Sequence, residues 1–335
     1  MRIAFIAALM ATFLLFPSGV ARSQAPDPGL IEAAKKEGEV VWYTSMSISE
    51  SQPLVDRFEK KYPFIKGHLL RASSEKVLQR ILTETQAGRW DFDVVALSEV
   101  GVLREKNMIA PYISPQSKAY VAEFKDAKGY WTAVYNNYFV IGYNTKLVPA
   151  QAAPKDWQDF LDAKWKGKVS IDQEEYEWYA TLSEAWGKER TQRYMTALAK
   201  QDIQWRKGHT LIAQLMSAGE FSVAIVYAHR IEQMKKEGAP VEWVNTLNPI
   251  VVSTNGIAIS AKAPHPNASK LFIDFVLSKE AQDLLRGFNR IPARSDVEPL
   301  SPKMDQSKIK IRVVPENLPS RYGDVVKEFK SVFGL

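Results

Sequence analysis

Strand and helix alternate along this chain at a spacing that leaves few folds open. Residues 30–37 (LIEAAKKE) form an amphipathic helical pattern closed by Gly38, and Glu39–Thr44 (EVVWYT) is a buried strand. A helix is expected over 49–62, with Leu54, Val55 and Phe58 on one face. A strand follows at 65–70. Next come a helix at 74–87, opened by Ser73 or Ser74, and a strand at 92–97 (FDVVAL). Strands separated by single helices are βαβ units, so this part builds a largely parallel sheet.

The middle of the chain changes character. Residues 131–143 (WTAVYNNYFVIGY) hold two strand-like runs meeting at Asn136-Asn137. A second α/β series then begins. It has strands at 168–171, 222–227 (SVAIVY), 241–244 and 256–260 (GIAIS). Its helices are at 176–186, 190–200, 210–217, 229–237, 267–277 and 279–286. Each series is long enough for a lobe. The polar stretch at Tyr135-Asn136-Asn137 marks a crossing between them, and Ser253-Thr254-Asn255 a return. The expected organisation places 26–135 and 255–335 in a discontinuous first lobe and 136–254 in the second. A chain that crosses twice leaves a cleft between its lobes and a hinge of paired strands.

The first twenty-five residues have a separate job. Met1-Arg2 precedes an uncharged run, IAFIAALMATFLLF, broken at Pro17 and followed by small residues at Gly19, Ala21, Ser23 and Ala25. This is the order of a secretory signal peptide, with cleavage expected after Ala21 or Ala25. The run is shorter than the roughly 20 residues a membrane span needs. The mature chain is therefore expected in the periplasm.

Composition excludes several classes of function. With no cysteine there is no disulfide framework and no thiolate chemistry. The formal charge is +6, and a leader ending at Ala25 takes Arg2 and Arg22 with it, leaving +4. The pairs Lys35-Lys36, Lys60-Lys61 and Lys235-Lys236 each sit beside Glu, as solvated helix faces do, so no nucleic-acid partner is expected. There is no G-x-S-x-G elbow, no dinucleotide fingerprint and no P-loop. The four histidines lack zinc-site spacing. No catalytic residues, metal or cofactor are expected. A secreted α/β enzyme using the same cleft is the alternative of another class.

Several ordered stretches carry a family resemblance. EVVWYTSMSISESQPLVDRFEKKYP, Asp91-Phe92-Asp93-Val94, Gly142-Tyr143-Asn144-Thr145, WQDFLDAKWKGK, LIAQLMSAGE, ASKLFIDFVLSKEAQDLL and Ile291-Pro292-Ala293-Arg294 follow one another along the mature chain. In this order they resemble the periplasmic solute-binding proteins of ABC transporters, in the type 2 branch that includes the ferric-iron-binding proteins. The resemblance implies a two-lobed α/β fold, each lobe a mixed sheet flanked by helices. It also implies solute capture between the lobes and delivery to a permease in the inner membrane by a monomer. Iron-binding members carry adjacent tyrosines after the strand matching 222–226. Here the stretch reads Val226-Tyr227-Ala228-His229-Arg230, and no Tyr-Tyr pair occurs anywhere. A guanidinium repels Fe³⁺ and attracts carboxylate or phosphate oxygens. The expected solute is thus a small organic anion, with ferric iron the second reading.

Candidate contacts follow from position. Ser45 and Ser47 come after the first strand, Ser73 and Ser74 after the second, and Ser98 after the third, where α/β sheets hold ligands. Each serine has a competing role as a helix cap, and Glu99 is read as the cap of its own helix. Tyr135 and Asn137 lie at the crossing, where hinge geometry is the competing role. Tyr176 begins a helix with Trp178 and Tyr179, so it either stacks on a ring or packs in the core. Thr210, Tyr227, His229 and Arg230 complete the second lobe's set. Arg230, a cation at a helix start, calls for a compensating anion. Arg286, Arg290 and Arg294 lie in the family's C-terminal packing motif and are read as structural or partner-facing.

Overall fold

The structure is a computed structural model that describes residues 27–315 and 317–335. The expected leader lies outside the described residues. Helix α1 (Pro28–Glu37) ends at Gly38, which takes a left-handed φ of 76° that a side chain would strain. Then follow β1 (Glu39–Thr44), α2 (Ile48–Lys61), β2 (Lys66–Arg71), α3 (Ser74–Gln86), β3 (Val94–Leu97), α4 (Val100–Glu105) and β4 (Ile109–Ala110). The middle of the chain is β5 (Thr132–Asn144). The second series runs β6 (Val169–Asp172), α5 (Tyr176–Trp186), α6 (Lys188–Leu198), β7 (Gln204–Arg206), α7 (His209–Ala218), β8 (Val223–Tyr227), α8 (Ala228–Lys236) and β9 (Val241–Trp243). The chain closes with β10 (Ile250–Ser260), α9 (Pro266–Val276), α10 (Lys279–Gly287), β11 (Ile291–Pro292), β12 (Ile311–Val313) and α11 (Leu318–Phe333).

The main path of the sheet is β2-β1-β3-β10-β5-β8-β6-β7. β1 pairs in parallel with β2 and β3, and β6 with β7 and β8, as βαβ units require. β10 is antiparallel to β3 and β5, and β5 is antiparallel to β8. β5 and β10 therefore join the two parallel groups. Both strands are longer than expected. β5 is continuous through Asn136-Asn137, and β10 begins at Ile250, so Ser253-Thr254-Asn255 is strand. Polar side chains there broke the hydrophobic pattern without breaking the strand, because backbone pairing holds Ser253 to Asn137 and Asn255 to Tyr135.

Each face of the first group is covered. Trp42 packs on Phe272, and Phe58 meets Phe272 and Phe275, which puts α2 and α9 on one side. Tyr43 stacks on Phe92 within a second cluster containing Val77, Ile81, Val95 and Leu103, under α3 and α4. Successive strand residues point to opposite faces, so burial on both sides demands the near-continuous apolar runs seen in the sequence.

One part of the expected organisation differs. Residues 255–335 were placed together in the first lobe, but α11 packs against α5 and α6 of the second series. Phe329 meets Tyr176, Tyr179, Trp205 and Phe333, a cluster that ties the C-terminus to α5 and β7. β12 meanwhile pairs with β10, so the chain passes the hinge a third time.

Candidate functional site

Helix starts from both series converge beside β5 and β10. Ser45, after β1, accepts a hydrogen bond from Asn255 Nδ2 at 2.9 Å and is also bonded to the Tyr135 phenol. Ser47 precedes α2 and donates to Glu50 at 2.7 Å. Glu50 takes both Nε and Nη2 of Arg290, at 3.0 and 2.8 Å, a bidentate fork that fixes the guanidinium plane. The remaining edge of Arg290 donates from Nη1 to Asn137 Oδ1 at 3.1 Å and to His229 Nε2 at 3.0 Å. The guanidinium also lies over the Tyr135 ring, 4.2 Å from its centroid. One buried arginine thus touches residues carried by α2, β5 and α8.

The opposite wall is a ladder of rings. Tyr227 lies between His209, at 4.0 Å, and His229, at 5.7 Å, each within 20° of parallel. Phe139 meets His209 and Tyr227 edge-on from β5. His209 starts α7 and bonds Glu175 Oε1 at 2.7 Å, while the Gly208 N–H donates to Asp172 at 2.7 Å. Burial opposes charge on His209, yet Glu175 and Asp172 outweigh it and lift its pKa. His229 is driven the other way, well below its ordinary value, by burial and then by Arg290. Burial, with Glu177, Glu175 and Asp172 nearby, holds the Tyr227 phenol far up and protonated.

A third group joins α3 to α4. Ser74 donates to Glu99, and Ser98 donates to the same carboxylate oxygen at 3.1 Å. Glu99 therefore does not cap α4 with its side chain, contrary to expectation; the serine hydroxyls hold it instead. Glu177, in the first turn of α5, is bonded by Ser253. Burial, then the charge of Glu99, pushes its carboxyl up to about 7.

Not every expected residue joins these groups. Ser45, Ser47, Ser74, Ser98, Tyr135, Asn137, Tyr227 and His229 are among the contacts above. Ser73 caps α3 through the Lys76 N–H at 3.4 Å. Tyr176 packs edge-on against Tyr322 and Phe329, as a core residue does. Thr210 is the second residue of α7. Arg230 donates to Gln233 of its own helix at 2.7 Å, with Nε buried and unpartnered. Arg290, read as structural or partner-facing, is bonded to Glu50, Asn137 and His229 across both series. Its position depends on Glu50, 240 residues away, and no local spacing signals that pairing. Glu50, Glu175, Glu177, His209 and Asn255 were missed for the same reason.

The N-terminal turns of α2 and α8 supply Glu50 and His229, both bonded to the Arg290 guanidinium. Among the described residues, no group of three or more His, Asp or Glu is arranged to hold a metal ion.

Residues 53–310 match the bacterial extracellular solute-binding protein family. The chain is 23% identical over 281 residues to iron uptake protein A1 of Synechocystis sp., covering 78% of this chain and 77% of that one. It is 24% identical over 235 residues to a periplasmic protein of Salmonella typhi provisionally named as binding 2-aminoethylphosphonate, covering 67% and 68%. The structure resembles the periplasmic binding protein AfuA from Actinobacillus pleuropneumoniae, solved with fructose-6-phosphate. The TM-score is 0.77 at 24% identity, covering 89% of this chain and 99% of that one. Likeness at that level is a likeness of fold: two lobes about a hinge.

Proposed function

This chain belongs to the bacterial extracellular solute-binding proteins, and on that premise we propose that it captures a small organic anion between its lobes for an ABC importer. The observation that carries the anion is Arg290. Its guanidinium is buried where helix starts from both series meet, and Glu50 fixes its plane from one side. Arginine cannot lose its proton, so the guanidinium stays charged at every physiological pH, held in an ion pair with Glu50.

The same geometry speaks against bare ferric iron. The one tyrosine in the stretch that replaces the tyrosine pair, Tyr227, keeps its proton, because burial and three carboxylates disfavour the phenolate. His229 Nε2 is occupied by Arg290 and offers no lone pair to a metal.

In this reading 26–135 and most of the chain after 255 form one lobe, and 136–254 form the other. Closure about β5 and β10 buries the solute and presents a closed surface to the inner-membrane permease. The 1–25 leader sends the chain to the periplasm, where it works as a monomer without catalysing a reaction. Among the described residues no helix is long and apolar enough to cross a membrane.

Melting the mature protein against sugar phosphates, phosphonates, carboxylates and ferric iron with and without citrate tests this. A solute at 100 times its dissociation constant stabilises by about 2.7 kcal/mol. An organic anion should raise the Tm of the native protein and leave Arg290→Ala unmoved. A rise with ferric iron alone refutes the reading.

A further inference from the structure

A buried donor or acceptor left unpaired is costly, so the unpartnered polar atoms of the cleft show what its solute brings. Among the described residues two such atoms are donors, and both lie at the start of α8. His229, 8% exposed, spends Nε2 on Arg290, which leaves its proton on Nδ1 with no acceptor. The next residue, Arg230, has its Nε buried and unpartnered. Two others are acceptors. Glu175, 1% exposed, gives Oε1 to His209 and has no donor for Oε2. Asn255, 3% exposed, gives Nδ2 to Ser45 and has no donor for Oδ1.

The acceptor side also carries uncompensated charge. Arg290 is neutralised by Glu50, and His209 by Glu175. Glu99 and Glu177 have no such counterpart: Glu99 is bonded by the hydroxyls of Ser74 and Ser98, and Glu177 by Ser253. A hydroxyl satisfies a carboxylate's lone pairs and leaves its charge in place. Glu99 comes from the first series and Glu177 from the second, and the two line one cavity with Ser98 and Ser253. Like charges facing one space repel, and a cation between them reverses the sign.

The donor pole and the acidic pole are adjacent on the hinge strands. Asn137 accepts from Arg290, which also holds His229, and its partner across the ladder, Ser253, bonds Glu177. Residues directly opposite each other point to one face, with Cβ atoms about 4.5–5.5 Å apart. Asn255, two residues along β10, faces the same side, and the pairing of Gly256 with Leu97 brings it beside Ser98 and Glu99. Tyr227 links the poles: its ring stacks on His229, and burial and then Glu177 raise its phenol. One small solute spans both.

We propose that the solute is a zwitterion, a small acid carrying a primary ammonium. Its anionic group takes the His229 and Arg230 donors beside Arg290, and its ammonium is held by Glu99 and Glu177, with Asn255 Oδ1 as a neutral acceptor. This rests on the reading of an organic anion held between the lobes and specifies that anion further. An acid without the ammonium would set its own charge against two carboxylates that no cation offsets. An ammonium without the acid would leave the donors of α8 unpaired.

Calorimetric titration of the mature chain with matched pairs tests the ammonium. 4-Aminobutyrate is compared with pentanoate, and phosphoethanolamine with propyl phosphate; within each pair a methyl group of similar size replaces the ammonium. In at least one pair the ammonium member should bind about ten-fold or more tightly, as a charged hydrogen bond gives. Glu177→Gln and, separately, Glu99→Gln should shrink that ratio to below about two-fold by weakening the ammonium member, whereas a merely structural role would weaken both members alike. The proposal is overturned if the ratio stays under about ten-fold in both pairs, if neither member of either pair binds, or if both variants keep the native ratio. Methyl members that bind as tightly as their partners overturn the ammonium and leave the anion reading standing. Butylammonium that binds as tightly as 4-aminobutyrate overturns the anion reading, and the zwitterion with it.

Discussion

Arg290 Nη1 donates to His229 Nε2 at 3.0 Å, and this single contact sets the protonation of the imidazole. Arginine has no acceptor atom, so Nε2 must offer its lone pair and the ring proton must sit on Nδ1. His229 is thereby fixed as a neutral ring with one tautomer. Its Nδ1 is buried and unpartnered, a hydrogen-bond donor awaiting an acceptor.

Nitrogen-15 NMR should accordingly show His229 as the neutral Nδ1–H form from pH 5 to pH 8. In Arg290→Gln the charge is gone, and the pKa of His229 should rise toward the ordinary value near 6.5. A protonated His229 in the native protein at pH 7 would contradict this geometry.

Arg290→Ala should lower affinity for the organic anion by roughly 100-fold or more, in the range for truncating a buried charge pair. It also strands Glu50, which is 12% exposed at its side chain. The fold itself should therefore lose about 3–5 kcal/mol. The double variant Arg290→Ala/Glu50→Gln should recover much of that stability and none of the binding. Urea denaturation and calorimetry separate the two effects.

Glu177 makes stability fall as pH rises. Its carboxyl holds a proton up to about 7 in the folded chain, above the 4.5 of a free glutamate. The folded state thus binds more protons between those values, and stability declines across that window. Partial exposure of the side chain screens the effect, to on the order of 2 kcal/mol. Glu177→Gln should be level with the native protein at pH 4.5 and more stable at pH 8. Melting both across pH checks the sign; a native protein that gains on the variant as pH rises would overturn it.

Phe329→Ala should cost about 3–5 kcal/mol, the usual loss for a fully buried phenylalanine. The ring is 0% exposed and meets Tyr176, Tyr179, Trp205 and Phe333. Detachment of α11 should be visible as faster amide exchange in α5 and β7, with β1 to β3 unchanged.

The first βαβ units were legible in the sequence because burial on both faces leaves an unmistakable apolar run, as in β1 and β3. β10 was cut short because Ser253, Thr254 and Asn255 look like a turn. Strands beside a cleft carry polar side chains, and their pairing is invisible in one dimension. Helix α11 passed unread although Leu318, Tyr322, Val325, Phe329 and Phe333 recur at helical spacing behind Pro319. That signal was available. Arg290 was different: a cation beside Ile291-Pro292 gives no hint that Glu50 and His229 await it.

The backbone through β5 and β10 carries the two parallel groups, while many of the residues proposed to meet a solute lie at or just before a helix start. The selectivity of such a scaffold is therefore stored in a few side chains that contribute little to its core. On the proposed reading, exchanging residues such as Ser47, His209 or His229 changes what the lobes present to a solute and leaves the strand pairing beneath intact. A chain built this way can be redirected to a new nutrient by short steps, each of which still folds.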